Sequence, residues 1–204
     1  MELRRQLDAI DLPPVPAVLD VGCGEGSLLG ALAHARPLEA HGLDLSAAAI
    51  EMAARRFPAL TWVIANADRF LPYASGGADI ALVISARLNP SELARVLAPG
   101  GRLLVVTPAP DDLVELRAAV LGEGIERGRL DRALALLAPA FELEARATVR
   151  HIADLDAASV SDALAATYRG ARRSQRERVA AIGALRVTMS YDVARLRLGA
   201  VAPR

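Results

Sequence analysis

The stretch LDVGCGEGSLLGAL, residues 19–32, sets Gly22, Gly24 and Gly26 directly after an apolar run that carries one aspartate, Asp20. Glycine takes backbone conformations closed to other residues, so three of them in five positions predict a tight loop. The flanking residues say what the loop joins. Ala17 to Val21 reads as a short buried strand, and Ser27 to Ala35 has the apolar spacing of a helix. A loop between a first strand and a first helix lies where α/β sheets bind ligands, at the carboxyl ends of the strands.

The pattern continues outward. His41 to Leu45 reads as a second strand, Ser46 to Phe57 as a helix opened by a serine cap, and Trp62 to Ala65 as a third strand. Ile80 to Ser85 follows as a fourth strand, then a short helix around Ser91 to Leu97, an APGG turn at Ala98 and a fifth strand from Arg102. The last third alternates instead. Phe141, Leu143, Ala145, Ala147 and Val149 in one segment, and Val187, Met189, Tyr191 and Val193 in another, predict two half-exposed antiparallel edge strands, with helices at Asp156 to Tyr168 and Ser174 to Ile182 between them. The expected fold is α/β: a Rossmann-like, seven-stranded, mostly parallel sheet with an antiparallel carboxyl-terminal strand and helices on both faces.

With 204 residues, 53% of them hydrophobic, one well-buried domain over residues 1–204 is expected. No apolar run reaches the length of a membrane span, and Met1 to Leu12 mixes Arg, Glu and Asp with leucines, unlike a signal or transit peptide; a cytoplasmic protein with no membrane partner is expected. Cys23 is the single cysteine, which excludes disulfides within the chain and a zinc cluster of several thiolates, so no metal is expected. The basic residues are all arginine and balance the acids to a formal charge of zero, which gives a polyanionic partner no support.

Two carboxylates narrow the ligand. A dinucleotide fingerprint G-x-G-x-x-G would place its last glycine at Ser27, so the match is imperfect. Asp20 beside the loop would repel a pyrophosphate but favour a ligand carrying an ammonium and a sulfonium, the charge pattern of S-adenosylmethionine. Asp44, ending the second strand, suits the two hydroxyls of a ribose, because a carboxylate accepts from both. The competing reading is a glycine turn that only packs a helix on a strand, with both acids as caps. Agreement of the loop, the acids and the strand context favours the ligand.

These residues resemble the class I S-adenosylmethionine-dependent methyltransferases. VLDVGCGEG looks like their motif I, GLDLS at Gly42 like motif II, ANADRFLPY at Ala65 like the segment flanking the adenine, ADIALVIS at Ala78 like motif IV, and ELARVLAPGGRLLVVTP at Glu92 like the following helix, turn and strand. The resemblance implies S-adenosyl-L-methionine as cofactor, with Asp20, Gly22, Cys23, Gly24, Gly26 and Ser85 around the methionine moiety, Asp44 and Leu45 at the ribose, and Asn66, Ala67 and Asp68 at the adenine. From Ser85 onward, RLNPSELARVLAPGGRLLVVTPAPDDLVELR is similar to the catalytic half of the large-subunit rRNA guanine-N1 methyltransferases. Against that family the amino-terminal zinc-binding domain has no counterpart, Ala-Pro after the fourth strand reads Ala86-Arg87, a histidine reads Asp112, and a later Pro and Trp correspond to Tyr168 and Ala171.

The acceptor half is thus rewritten, and few aromatics are present to stack on a base. The basic run RGARRSQRER from Arg169 reads as a solvated helix face before it reads as an RNA contact. The expected function is a transferase acting on a small molecule, an amine or amino acid of specialised metabolism such as antibiotic biosynthesis or resistance. A 23S rRNA guanine-N1 methyltransferase is the alternative. A further one is cyclisation of the cofactor's own aminopropyl chain to a small cyclic amino acid, with release of methylthioadenosine. Methyl transfer needs positioning more than acid–base help, and His34, His41 and His151 are all expected to be structural or solvent-facing. If the family's topology holds, Ser85, Ala86, Arg87 and Asn89 leave the fourth strand beside the sulfonium and Tyr168 folds over it. Ser85, Asn89 and Tyr168 are the catalytic candidates, Tyr168 serving equally well as a packed aromatic. Oligomeric state is left open.

Overall fold

In β1 (Ala17–Val21) every residue from Val18 to Val21 is buried, Asp20 included, as befits a strand covered on both faces. The structure, a computed structural model, describes residues 2–121, 128–167 and 182–199. Ahead of β1 lies α1 (Glu2–Asp8), and after it come α2 (Ser27–Ala35), β2 (Glu39–Asp44), α3 (Ala47–Arg56), β3 (Thr61–Ile64), β4 (Ala78–Ile84), α4 (Pro90–Val96) and β5 (Leu97–Pro108). The tail supplies α5 (Val114–Leu121), α6 (Arg129–Leu137), β6 (Phe141–Leu155), α7 (Ala157–Thr167) and β7 (Leu185–Leu198).

The seven strands form one sheet in the order β3-β2-β1-β4-β5-β7-β6. The pairs β2–β3, β1–β2, β1–β4 and β4–β5 are parallel, and the carboxyl-terminal strands are antiparallel. The chain steps from β1 through β2 to β3 on one side and then returns to place β4 on the other side of β1. That reversal opens a crevice at the carboxyl ends of β1 and β4, where open α/β sheets take their ligands.

Strand alternation sorts the core. Leu19, Val21, Ala81, Val83, Leu103 and Val105 face Leu93 and Val96 of α4 and Leu130 and Leu137 of α6. Val18, Ile80, Leu82 and Leu104 face Leu7 of α1 and Leu29 of α2. Contacts divide the chain into two compact units: residues 1–107, 130–147 and 193–204, and residues 108–129 and 148–192. The second has its own core of Leu116, Val120, Val160, Leu164 and Val187.

The structure departs from the sequence reading in detail. APGG, expected as a turn, is already part of β5, where the ladder with β4 shifts register between Ala78 and Ile80. β2 begins two residues earlier than read, at Glu39, so that His41 lies inside it. α1, α5 and α6 were not anticipated. The helix expected at Ser174 to Ile182 lies, but for Ile182, outside the described residues, as do Tyr168 and the basic run from Arg169. Ser46 does cap α3, its side chain accepting from the Ala49 amide at 3.3 Å. Ser46→Ala is expected to lower stability by about 1 kcal/mol, read from urea denaturation. No helix among the described residues is long and apolar enough to cross a membrane.

Candidate cofactor site

All three glycines of the loop after β1 have left-handed backbone, φ being 80° at Gly22, 57° at Gly24 and 79° at Gly26. Two of them also admit a close neighbour. A β-carbon at Gly22 would lie 2.4 Å from Ala86 Cβ, and one at Gly26 would lie 2.3 Å from the Trp62 ring. At Gly24 a β-carbon would meet nothing within 4 Å, so the space over the middle of the loop is open. The loop is tied to β2: the Gly22 and Cys23 amides both donate to the Leu43 carbonyl, at 2.7 and 3.0 Å.

Asp44, at the end of β2, joins the loop to the next helix. Its Oδ2 accepts from the Gly24 amide at 2.9 Å and its Oδ1 from the Ser46 amide at 2.8 Å. Each carboxylate oxygen has more than one lone pair, so both can still accept from the hydroxyls of a diol. Asp20 is 2% exposed, and burial, with the nearby Asp44 charge second, pushes its carboxyl up to about 7. Burial also pushes the Cys23 thiol up to about 12, with Asp20 and Asp44 adding to it. Cys23 is therefore a neutral thiol at physiological pH, unsuited to nucleophilic work.

A cavity of about 210 Å³ opens beside the loop, lined by Val21, Gly22, Leu43, Asp44, Leu45, Ala65, Asn66, Ala67, Asp68, Ala86 and Arg87. That is below the roughly 300–1,000 Å³ of sites that enclose drug-sized ligands. It is large enough for part of an extended nucleoside ligand. Leu45 offers an apolar side chain at the rim, 70% exposed. The donor set fits S-adenosylmethionine: a diol acceptor at Asp44, an apolar rim for the base, and a buried carboxylate near the loop for the cationic end.

Of the residues read from sequence, Gly22, Asp44, Leu45, Asn66, Ala67 and Asp68 line this cavity together. Asp20 and Cys23 lie close enough to Asp44 to feel its charge. Ser85 has φ of 53°, costly for a residue with a β-carbon by about 1–3 kcal/mol, and its amide donates to the Val106 carbonyl at 2.8 Å. Asn89 is occupied structurally. Its Oδ1 caps α4 through the Glu92 amide at 3.4 Å, and its Nδ2 donates to the carbonyls of Ala67 and Asp68 at 3.1 and 3.2 Å. Tyr168 lies outside the described residues. Trp62 was missed: its ring fills the space that Gly26 and Gly42 leave, and its indole N–H donates to the Phe57 carbonyl at 3.0 Å. No sequence signal marks such a contact between distant residues. Among the described residues no three His, Cys, Asp or Glu side chains gather into a metal set.

Residues 18–101 match the family model described as a methyltransferase domain. The chain is 37% identical over 140 residues to the 23S rRNA (guanine(748)-N(1))-methyltransferase of Streptomyces fradiae, covering 68% of this chain and 50% of that protein. It is 34% identical over 176 residues to the trans-aconitate 2-methyltransferase of Methylobacterium radiotolerans, covering 73% of this chain and 66% of that one. The chain thus spans about half the length of the first of these relatives. In fold it is similar to an S-adenosylmethionine-dependent methyltransferase from Geobacter sulfurreducens, solved with S-adenosylhomocysteine. The TM-score is 0.61 at 18% identity, over 97% of this chain and 89% of that one.

Proposed function

Because the chain belongs to the class I S-adenosylmethionine-dependent methyltransferases, we propose that it moves the cofactor's methyl group to a small-molecule acceptor in the cytoplasm, an amine or amino acid of specialised metabolism. The observation that supports this reading is the small cavity at the carboxyl ends of β1 and β2, where both Asp44 oxygens, though each accepts one backbone amide, keep lone pairs for a ribose diol, and where no atom crowds the space at Gly24. When bound, the cofactor supplies a methyl group activated by a sulfonium. The chain's own part is positioning: Asp44 and Leu45 hold the nucleoside, the Asn66 to Asp68 turn borders its base, and buried Asp20 balances the cationic end. Ser85 sets the direction in which the chain leaves β4, and Asn89 pins it. Bringing a nucleophile and a methyl carbon into near-attack geometry supplies most of the rate in such a displacement.

The 37% identity to the Streptomyces fradiae enzyme favours a second reading, methylation of a guanine in 23S rRNA. The formal net charge of zero weighs against it, since phosphate contacts by basic side chains dominate RNA affinity. On the small-molecule reading, RNA binding rests on the run from Arg169 to Arg178 and should vanish at physiological salt. Filter binding to a large-subunit rRNA hairpin tests this, and tight binding that survives such salt favours the second reading.

Product analysis decides among the reactions. Purified protein is incubated with S-adenosylmethionine alone, with the small-molecule fraction of a cell extract, and with rRNA fragments. S-adenosylhomocysteine formed with the small molecules supports the proposal, and its formation only with rRNA supports the second reading. Methylthioadenosine from cofactor alone, above the spontaneous background, would replace both with internal cyclisation.

A further inference from the structure

Resting on the methyl-transfer reading, we propose that Arg87 recognises an anionic group on the acceptor, a carboxylate or a phosphate, at the mouth of the cofactor cavity. The backbone prepares it. Ser85, with its left-handed φ of 53°, turns the chain out of β4. Ala86 Cβ then packs where a side chain at Gly22 would stand, and the Asn89 amide ties the far end of the turn to the carbonyls of Ala67 and Asp68. Arg87 sits between these two anchored positions, with its side chain 85% exposed.

Charge supplies the direction. Among the described residues that line the cavity, Arg87 is the one cation, and Asp44 and Asp68 are the two acids. Both oxygens of Asp44 accept backbone amides on the ribose side, so that wall offers an anion only repulsion. Arg87 Nη1 stands 3.4 Å from Asp68 Oδ2, longer than the roughly 2.7–2.9 Å of a tight charge-assisted hydrogen bond. An exposed pair at that separation is weak and exchangeable. The guanidinium carries five N–H donors in a planar fork that matches a carboxylate or a phosphate, so an incoming anion can take the place of Asp68. An amino acid meets the demand directly: its carboxylate on Arg87 leaves its nitrogen to act as nucleophile.

The test uses the protein saturated with S-adenosylhomocysteine and follows the Arg87 Nε–H resonance by NMR, assigned by its loss in Arg87→Gln. Acetate, inorganic phosphate and neutral acetamide are the probes. Acetate or phosphate should move the resonance saturably while acetamide does not, and the one that binds more tightly identifies the anion class. In Arg87→Gln the same anions, followed at the Gly22 and Ala86 amides, should bind at least tenfold more weakly, with Arg87→Lys between. No response to either anion, an equal response to acetamide, or unchanged anion affinity in Arg87→Gln overturns the proposal. Calorimetry of S-adenosylhomocysteine on the wild-type sample keeps the two claims apart. If the nucleoside binds and the anions do not, only the Arg87 assignment falls; if the nucleoside itself fails to bind, the methyl-transfer reading falls with it.

Discussion

Affinity for S-adenosylhomocysteine is expected to drop roughly 50- to 100-fold between pH 7.5 and pH 5, and in Asp20→Asn the pH profile should be flat. The cause is the buried Asp20 carboxyl, raised from 3.8 to about 7 chiefly by desolvation and secondarily by Asp44. An ammonium beside it requires the ionised form, so below pH 7 binding must expel a proton and weakens about tenfold for each unit. The unliganded protein should respond with the opposite sign. A raised carboxyl stabilises the fold while protonated; that contribution is fully present below 3.8 and is lost as pH rises through 7. Calorimetry in two buffers of different ionisation enthalpy reads the proton directly, with about one released per ligand at pH 5.5. A flat wild-type profile with no proton released would remove Asp20 from the site.

Gly22→Ala and Gly24→Ala should fail in different ways. At Gly22 the added methyl pays a left-handed backbone cost of about 1–2 kcal/mol, and it meets Ala86 Cβ at 2.4 Å. Overpacking of that kind adds about 1–3 kcal/mol. A total loss of about 2–5 kcal/mol should appear in urea denaturation. At Gly24 the backbone cost is similar but no atom lies within 4 Å, so the variant should fold with a smaller loss. Its methyl occupies the space over the loop that the ligand needs, and affinity for S-adenosylhomocysteine should fall at least tenfold. Equal destabilisation of the two variants would contradict the Ala86 clash at Gly22, and normal affinity in Gly24→Ala would mean that the open space above Gly24 is not ligand space.

The parallel half of the sheet was legible because β1 and β4 at its centre are apolar and buried almost throughout and strong helix signals separate the first strands. β1 and α2 carry the expected boundaries, and β2 to β4 and α3 differ by only one or two residues. The glycine loop and Asp44 were legible because their chemistry is local to the chain. Other features depend on contacts between distant residues. Ala98 to Gly101 read as turn chemistry and Leu97 as the end of a helix, yet all five belong to β5, where the ladder with β4 shifts register between Ala78 and Ile80. α6 buries Leu130, Ala133 and Leu137 along one stripe, a helical spacing that stands in the sequence but was overlooked. Asn89 looked like a polar group at a strand end, and only its bonds to Ala67 and Asp68 reveal that its amide is committed to holding two loops together.

The chain is expected to hold S-adenosylmethionine or its demethylated product against Asp44. Titration calorimetry of S-adenosylhomocysteine into the wild type and Asp44→Ala, both shown by urea denaturation to be folded, tests it most directly. The wild type is expected to bind at one site per chain. Asp44→Ala is expected to bind more weakly by about 1.5–3 kcal/mol, roughly 10- to 150-fold, the loss expected for hydrogen bonds to a charged group. Equal affinity in the two proteins, or no binding to the wild type, would contradict it.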